Sequence, residues 1–324
     1  MNGKNGTGKN GQKLSKLVEL ADDLGGGNGS FATKRERQLE KRLSGTRVSV
    51  LDGPVPVTNL SPDARKLLMY RHNPAMWVTN HFDITLAKYR SLQEIESWLA
   101  VQDEDAHSWI KHRLEVGTCV FDKKRSYQAE ALDLLAQEDT DNVRLALKWG
   151  NSLGKTGTAA LMLHWFMDCF PGGVCVTTAG TWSQLKEQLW GEVGMWGDRA
   201  VLPICSGQVP IWKTHIDLGP QWKAFGRAAK DDGTFEGVHA DYVMVIMDEA
   251  KAIPQTVFDQ VRRILRGARK TWWVALSTPG SPVGPYYDIT QGDQSHRWVV
   301  HHVSSYEGER VSLTQIEEDY EDLG

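Results

Sequence analysis

The sequence predicts an α/β protein with a mainly parallel central sheet flanked by helices. Three observations carry that reading. A Gly-rich loop lies between an apolar run, Val143 to Leu147, and a helix-like apolar run, Thr158 to Phe170. A continuous apolar run, Tyr242 to Met247, is followed at once by Asp248-Glu249-Ala250. A third short run, Thr271 to Leu276, ends in Ser277-Thr278-Pro279-Gly280. Continuous apolar runs bounded by polar residues read as strands buried on both faces, as in the middle of a parallel sheet.

The loop reads K-W-G-N-S-L-G-K-T-G from Lys148 to Gly157. A strand-to-helix loop gathers backbone N–H groups and the positive end of a helix dipole around one point, where polyphosphate can be held. Gly150, Asn151, Ser152, Leu153 and Gly154 would form that cradle, Lys155 would reach the β- and γ-phosphates of ATP, and the Thr156 hydroxyl would be a Mg²⁺ ligand. The match to G-x-x-x-x-G-K-[ST] is incomplete, because Trp149 stands where the first Gly belongs and Gly150 follows one residue late. Taken alone, the run also suits a Gly-rich turn with an exposed Lys at a helix start.

Two adjacent carboxylates at the end of a buried strand are placed to serve a metal–nucleotide site at the mouth of an open α/β sheet. Asp248 would hold Mg²⁺ through its water shell, and Glu249 would orient and deprotonate an attacking water. An acidic first turn of the next helix is the plain alternative. Ser277 and Thr278, at the end of another strand, can hydrogen-bond the γ-phosphate or Glu249 and so couple nucleotide state to the rest of the chain. Ser-Thr-Pro-Gly is equally an ordinary turn composition.

Three such strands in this order describe a RecA-like P-loop ATPase sheet, and the details resemble the large terminase subunit of tailed bacteriophages and herpesvirus-like viruses, a DNA-packaging motor. The resemblance rests on the displaced glycine of G-N-S-L-G-K-T, on Val176-Thr-Thr-Ala-Gly-Thr-Trp-Ser-Gln184, on Gly237-Val-His-Ala240 before the acidic strand, on D-E-A, and on S-T-P-G followed by Gly284-Pro-Tyr-Tyr287. It spans about Arg125 to Asp322. It implies an ATPase that uses Mg²⁺ and drives double-stranded viral DNA into a procapsid. It also implies a homo-oligomeric ring on the portal protein, a small terminase subunit as partner, no membrane, and a place in the host cytoplasm and transiently at the portal vertex. By the same resemblance, and that of related ATPases and helicases, Gln128 would read the adenine edge and Tyr127 would stack on or flank the ring; a core Tyr at a helix start is the plain alternative.

One departure stands out. Many terminases carry an Arg in the loop at the position of Asn151, so a cation on the phosphates has to come from elsewhere. The candidate arginine fingers are Arg227, on an earlier strand, and Arg262, Arg263, Arg266 and Arg269, after the acidic strand; the latter group also reads as a solvated helix end. A superfamily-2 helicase or translocase is the rival within enzymes, but no second set of motifs is visible. A non-hydrolysing nucleotide-binding regulator is the rival from another class, and the Asp248-Glu249 pair argues against it.

The remaining sequence sets the frame. Residues 1–45 read as a flexible tail with short helices, 46–120 as a helical lid, and 121–324 as the ATPase core. Apolar residues make up 40% of the 324, enough to fill a core, and no run is long enough to cross a membrane. The formal net charge of −4 does not decide for or against DNA. Cys119, Cys169, Cys175 and Cys205 lack C-x-x-C spacing and read as free thiols, with Cys169 and Cys175 beside the second strand. Thirteen Trp residues read as packing rather than base-stacking platforms, and His107 and His112 as surface or packing residues. After a last strand at Arg297 to Val303 and a polar helix at Thr314 to Leu323, nothing matches the RNase H-like nuclease of large terminases. That domain is therefore expected to be absent from this chain, and Asp319, Glu321 and Asp322 to be solvated.

Overall fold

A computed structural model describes residues 47–50, 53–56, 68–103, 105–137, 139–200, 211, 213–219, 221–229 and 237–323. The expected tail over 1–45, the helix start at Ser61 and Cys205 lie outside the described residues. The chain divides by contact into Met1–Asn73 and Pro74–Gly324. In the first unit, β1 (Arg47–Val50) and β2 (Gly53–Pro56) pair antiparallel, Val48 opposite Val55. β-branched valines in both segments suit strand pairing.

The second unit begins with helices α1 (Pro74–Phe82), α2 (Leu92–Leu99), α3 (Ser108–Glu115) and α4 (Tyr127–Asp133). Each start has a local cause where a cap is present. Ser91 and Glu94 form a reciprocal capping box on α2, and the Ser126 hydroxyl accepts from Ala129 N on α4. Ile95, Leu99 and Ile110 make a small core with Phe121, Tyr306 and Leu313. Residues 74–120 thus share a contact-defined unit with the sheet that follows.

That sheet has seven strands in the order β5-β6-β4-β7-β8-β3-β9. They are β3 (Asn142–Trp149), β4 (Val174–Ala179), β5 (His215–Gly219), β6 (Trp222–Gly226), β7 (Tyr242–Asp248), β8 (Lys270–Ser277) and β9 (Val299–Val303). All neighbours run parallel except the edge pair β5 and β6. Helices α5 (Lys155–Cys169), α6 (Trp190–Arg199), α7 (Gln255–Leu265), α8 (Pro285–Thr290) and α9 (Leu313–Leu323) connect and flank the strands. The expected mainly parallel α/β sheet is therefore present, with all three sequence-identified strands at its centre.

Burial follows from composition. Every residue of β4 is buried, and every residue of α5 except Thr156 and Gly157, as an all-round apolar helix requires. Cys169 and Cys175 are buried free thiols, as expected beside the second strand. Trp149, Trp165, Trp190, Trp272 and Trp273 are packing residues, whereas Trp182 is 47% exposed and departs from that expectation. Trp272 meets the rings of Trp165, Phe166 and Phe170, and its indole N–H donates to Leu135 O at 2.9 Å. His107 is buried too, its Nδ1 3.0 Å from the Tyr306 hydroxyl.

Because Trp272 ties the amino end of β8 to α5 and to the turn before β3, Trp272→Ala should cost about 3–5 kcal/mol of unfolding free energy. Urea titration of the parent and variant measures it. A loss below about 1 kcal/mol would show that the aromatic cluster repacks freely.

Candidate nucleotide-binding site

Parallel pairing fixes which loops can meet. Lys148 on β3 lies opposite Ser277 on β8 and His302 on β9, and Ala179 on β4 lies opposite Asp248 on β7. The phosphate loop, the acidic pair and the Ser-Thr turn therefore all leave the sheet from its carboxyl end, the edge where open α/β sheets hold ligands.

The loop after β3 is strained in the way a cradle requires. Ser152 and Gly154 have φ of +59° and +78°, left-handed values that turn successive backbone groups toward one side. Gly154 is the N-cap of α5, so Lys155 and Thr156 open that helix. Lys155 is buried, and its ammonium donates to Gly150 O at 2.7 Å and Trp149 O at 3.4 Å. Burial lowers its pKa, while Glu249 and then Asp248 favour its charged form. A cation resting on loop carbonyls is ready to be transferred to a phosphate.

Asp248 is 2% exposed, with the Thr156 hydroxyl near it. Burial pushes its carboxyl up to about 6, and Glu249 adds to the rise, against the Thr156 hydroxyl and the Lys155 charge. Glu249 adopts φ +48°, a left-handed conformation costly for a non-glycine residue. Its backbone N–H donates to Asp248 Oδ1 at 3.0 Å, and its Oε2 accepts from the Ser277 hydroxyl at 3.2 Å. Thr278 Oγ1 accepts from the Lys251 ammonium. The Tyr286 hydroxyl is shared between Leu147 O at 2.8 Å and Ser277 O at 3.1 Å, which locks β3 and β8 together behind the site.

The Thr156–Asp248 pair offers a hydroxyl and a carboxylate beside a buried ammonium, a donor set that suits Mg²⁺ on a polyphosphate. Among the described residues, no cluster of three or more His, Cys, Asp or Glu could hold a metal by itself. A nucleotide would complete the shell.

Tyr127 and Gln128 are at the loop but not open to a base. Tyr127 is fully buried, edge-on to Trp149, with its hydroxyl donating to Leu153 O at 3.2 Å. The Gln128 amide donates to Thr158 Oγ1 at 3.0 Å and accepts from Ala87 N at 2.7 Å. Stacking on or reading adenine would require both to rearrange; as they stand they brace the loop.

Trp149 explains the displaced glycine. Its side chain is buried against Tyr127 and bonds His301 Nδ1 at 2.9 Å, pointing into the core and away from the cradle. Gly150 is small for a different reason. A β-carbon there would collide with the Ser305 hydroxyl and lie 2.8 Å from Ser305 N.

The candidate arginines fall into two groups. Arg227 donates its backbone N–H to Thr177 O, at the carboxyl end of β4, and lines an open cavity with Trp182, Lys223, Phe225 and His239. None of the residues lining that cavity belongs to the phosphate loop or the acidic pair. Arg262 is engaged by Asp259 at 3.0 Å and Gln294 at 3.3 Å. Arg263, Arg266 and Arg269 are exposed, and Arg269 N bonds Asp241 O at the amino end of β7. That is the full strand length, roughly 20 Å, from Asp248.

Sequence reasoning missed the segment Ser304–Val311, which follows β9 and lies along the loop. Ser305 meets Gly150 and Gly308 meets the Leu153 side chain. The available signal was topological: a segment leaving the strand next to β3 must emerge beside the loop.

No known family model matches the chain, and no curated protein matches it. Several phage large terminase structures are similar in fold at low identity and partial coverage. The large terminase ATPase domain of Thermus phage P74-26 is 18% identical, with a TM-score of 0.45, over 61% of this chain and 84% of that one. The large terminase of another thermophilic bacteriophage, in complex with ADP, is 12% identical, with a TM-score of 0.44, over 59% of this chain and 48% of that one. Dbp5 of S. cerevisiae, bound to Gle1 and IP6, is 17% identical, with a TM-score of 0.37, over 67% of this chain and 53% of that one. Activity has to be read from the site itself.

The crowding at Gly150 and the burial of Asp248 each have a measurable consequence. Gly150→Ala should destabilise the fold by about 1–3 kcal/mol, because the Ser305 backbone must move; an unchanged urea midpoint would contradict that. For Asp248, a folded pKa raised from 3.8 to about 6 means stability present below about pH 4 and lost as pH rises through 6. Asp248→Asn should therefore gain stability over the parent as pH rises from 4 to 7. Thermal unfolding across that range measures it, and a pH-independent difference would contradict the assignment.

Proposed function

We propose that the chain is the ATP-hydrolysing motor part of a DNA-packaging machine of the large terminase type. The observation that carries this reading is the meeting of Lys155, Thr156, Asp248, Glu249 and Ser277 at one mouth of the sheet. A regulator that only bound nucleotide would need the lysine and the cradle but no seated carboxylate beside them.

The cradle Gly150–Gly154 and the Lys155 ammonium hold the polyphosphate, with the lysine exchanging its carbonyl partners for phosphate oxygens. Mg²⁺, when bound, neutralises phosphate charge, and Thr156 and Asp248 would hold it. Glu249, fixed by Ser277, orients a water and takes its proton. Loss of the γ-phosphate changes what Ser277 and Thr278 can bond to, and the Thr278–Lys251 contact passes that change to the segment leading into α7. Double-stranded DNA, a portal protein, a small terminase subunit, a homo-oligomeric ring and a cytoplasmic location with transient residence at the portal vertex come with this reading. Among the described residues, no helix is long and apolar enough to cross a membrane.

Arg269, a full strand length from its own Asp248, could act only on a neighbouring chain. Arg227, at the carboxyl end of the sheet, could serve its own site or a neighbour's.

Lys155→Ala should abolish ATP turnover and weaken nucleotide binding, whereas Glu249→Gln should bind ATP normally and lose at least ~10²-fold in turnover. Parental turnover in Glu249→Gln would remove that carboxylate from the mechanism. Specific activity should also rise with protein concentration if an arginine is given in trans. Mixing each of Arg227→Ala, Arg262→Ala, Arg263→Ala, Arg266→Ala and Arg269→Ala with an Asp248→Asn chain should then rescue one of them; no rescue and no concentration dependence would point to a monomeric ATPase.

A further inference from the structure

The phosphate loop lacks a cation at Asn151, and the segment after β9 carries one to its far end. Ser305 lies on Gly150, Gly308 on Leu153, and Arg310 on Gly154, so the segment runs beside the loop in step with it. A β-carbon at Gly154 would lie 2.8 Å from Arg310 Nη1 and 3.1 Å from Gln128 Nε2. The guanidinium therefore rests at the N-terminus of α5, on the side of Gln128 and Tyr127.

This placement is built rather than incidental. Arg90, 6% exposed, donates from Nε to Tyr306 O at 3.1 Å and from Nη2 to Gly308 O at 3.1 Å and Val311 O at 2.5 Å. Glu307, 2% exposed, accepts from Val120 N at 2.8 Å and Ser304 N at 2.7 Å. Tyr89 bridges Gly308, and Gly150 N donates to Val303 O at 2.9 Å. Two buried charges fix the backbone on both sides of an exposed arginine. A cation held at the positive end of a helix is repelled there unless an anion joins it.

We propose that Arg310 contacts the nucleotide polyphosphate in cis, supplying from the segment after β9 the positive charge that Asn151 does not. Its planar fork can donate two parallel N–H bonds to phosphate oxygens, a fixed geometry that a lysine's rotatable ammonium does not impose. The Arg90–Glu307 framework limits the entropy lost when the guanidinium engages. The proposal rests on the nucleotide-site reading above and adds a substrate-contacting residue to it.

The test uses the full chain with Arg310→Ala, Arg310→Lys and, as control, Lys155→Ala. ADP binding by calorimetry and ATP and GTP turnover are measured, with melting temperatures checking the fold. Arg310→Ala should keep its melting temperature, weaken ADP binding about tenfold and lower kcat/KM by about 10²-fold. Arg310→Lys should recover part of the loss, and mixing with Asp248→Asn should not rescue Arg310→Ala, because the residue serves its own loop. If GTP is turned over, its loss should equal that for ATP. Parental ADP binding and turnover in Arg310→Ala, with Lys155→Ala inactive, would overturn the inference and leave the nucleotide site standing. A loss confined to ATP would overturn it as well, assigning Arg310 to the base. If the parent binds no nucleotide at all, the proposed function fails and this inference with it.

Discussion

Everything in the site depends on the position of β3 between two parallel partners. Pairing with β8 brings Lys148 level with Ser277, and pairing with β9 brings Trp149 level with Val303. The first pairing sets the phosphate loop beside the Ser-Thr turn and, through β7, beside the acidic pair. The second sets it beside Ser304–Val311. A shift of two residues in either pairing would separate Lys155 from Asp248 or Gly150 from Ser305 by roughly 7 Å. The shared Tyr286 hydroxyl and the buried Trp149–His301 bond oppose such a shift from the two sides.

The loop is held taut by the chain's own contacts. Tyr127 fixes Leu153 O, Gln128 reaches Thr158, Lys155 closes back onto Gly150, and Ser305 fills the space a side chain at Gly150 would need. Ser152 and Gly154 in the loop and Glu249 in the acidic pair adopt left-handed backbone. Strain of this kind persists only where the surroundings over-determine it, and here they are hydrogen bonds from α4, the loop's own Lys155–Gly150 bond and the packing of Ser305 on Gly150. A preformed cradle loses little entropy when a phosphate arrives.

Much of this is legible in the sequence because it is local. The strands around Val143, Tyr242 and Thr271, the opening of α5 at Gly154-Lys155-Thr156, and the carboxylates at the end of β7 all announce themselves by apolar runs and their polar ends. The contacts that cannot be read are those set by strand order. Ser304–Val311 carries no motif, and its place beside the loop follows only from β9 lying next to β3. Tyr127 and Gln128 are recognisable as residues near the loop, but a sequence cannot say whether a Tyr faces a ligand or a core; here burial and a bond to Leu153 O turn it inward.

In the proposed reading, Lys155, Asp248 and Glu249 form a site built for the charge that develops on a transferring phosphoryl group. Calorimetric titration of the full chain with ADP and Mg²⁺, with and without fluoroaluminate as a mimic of that group, tests it most directly. A site complementary to the transition state should bind the mimic complex at least ~10²-fold more tightly than ADP alone, and Glu249→Gln should reduce the gain. Equal affinity with and without fluoroaluminate would contradict the account.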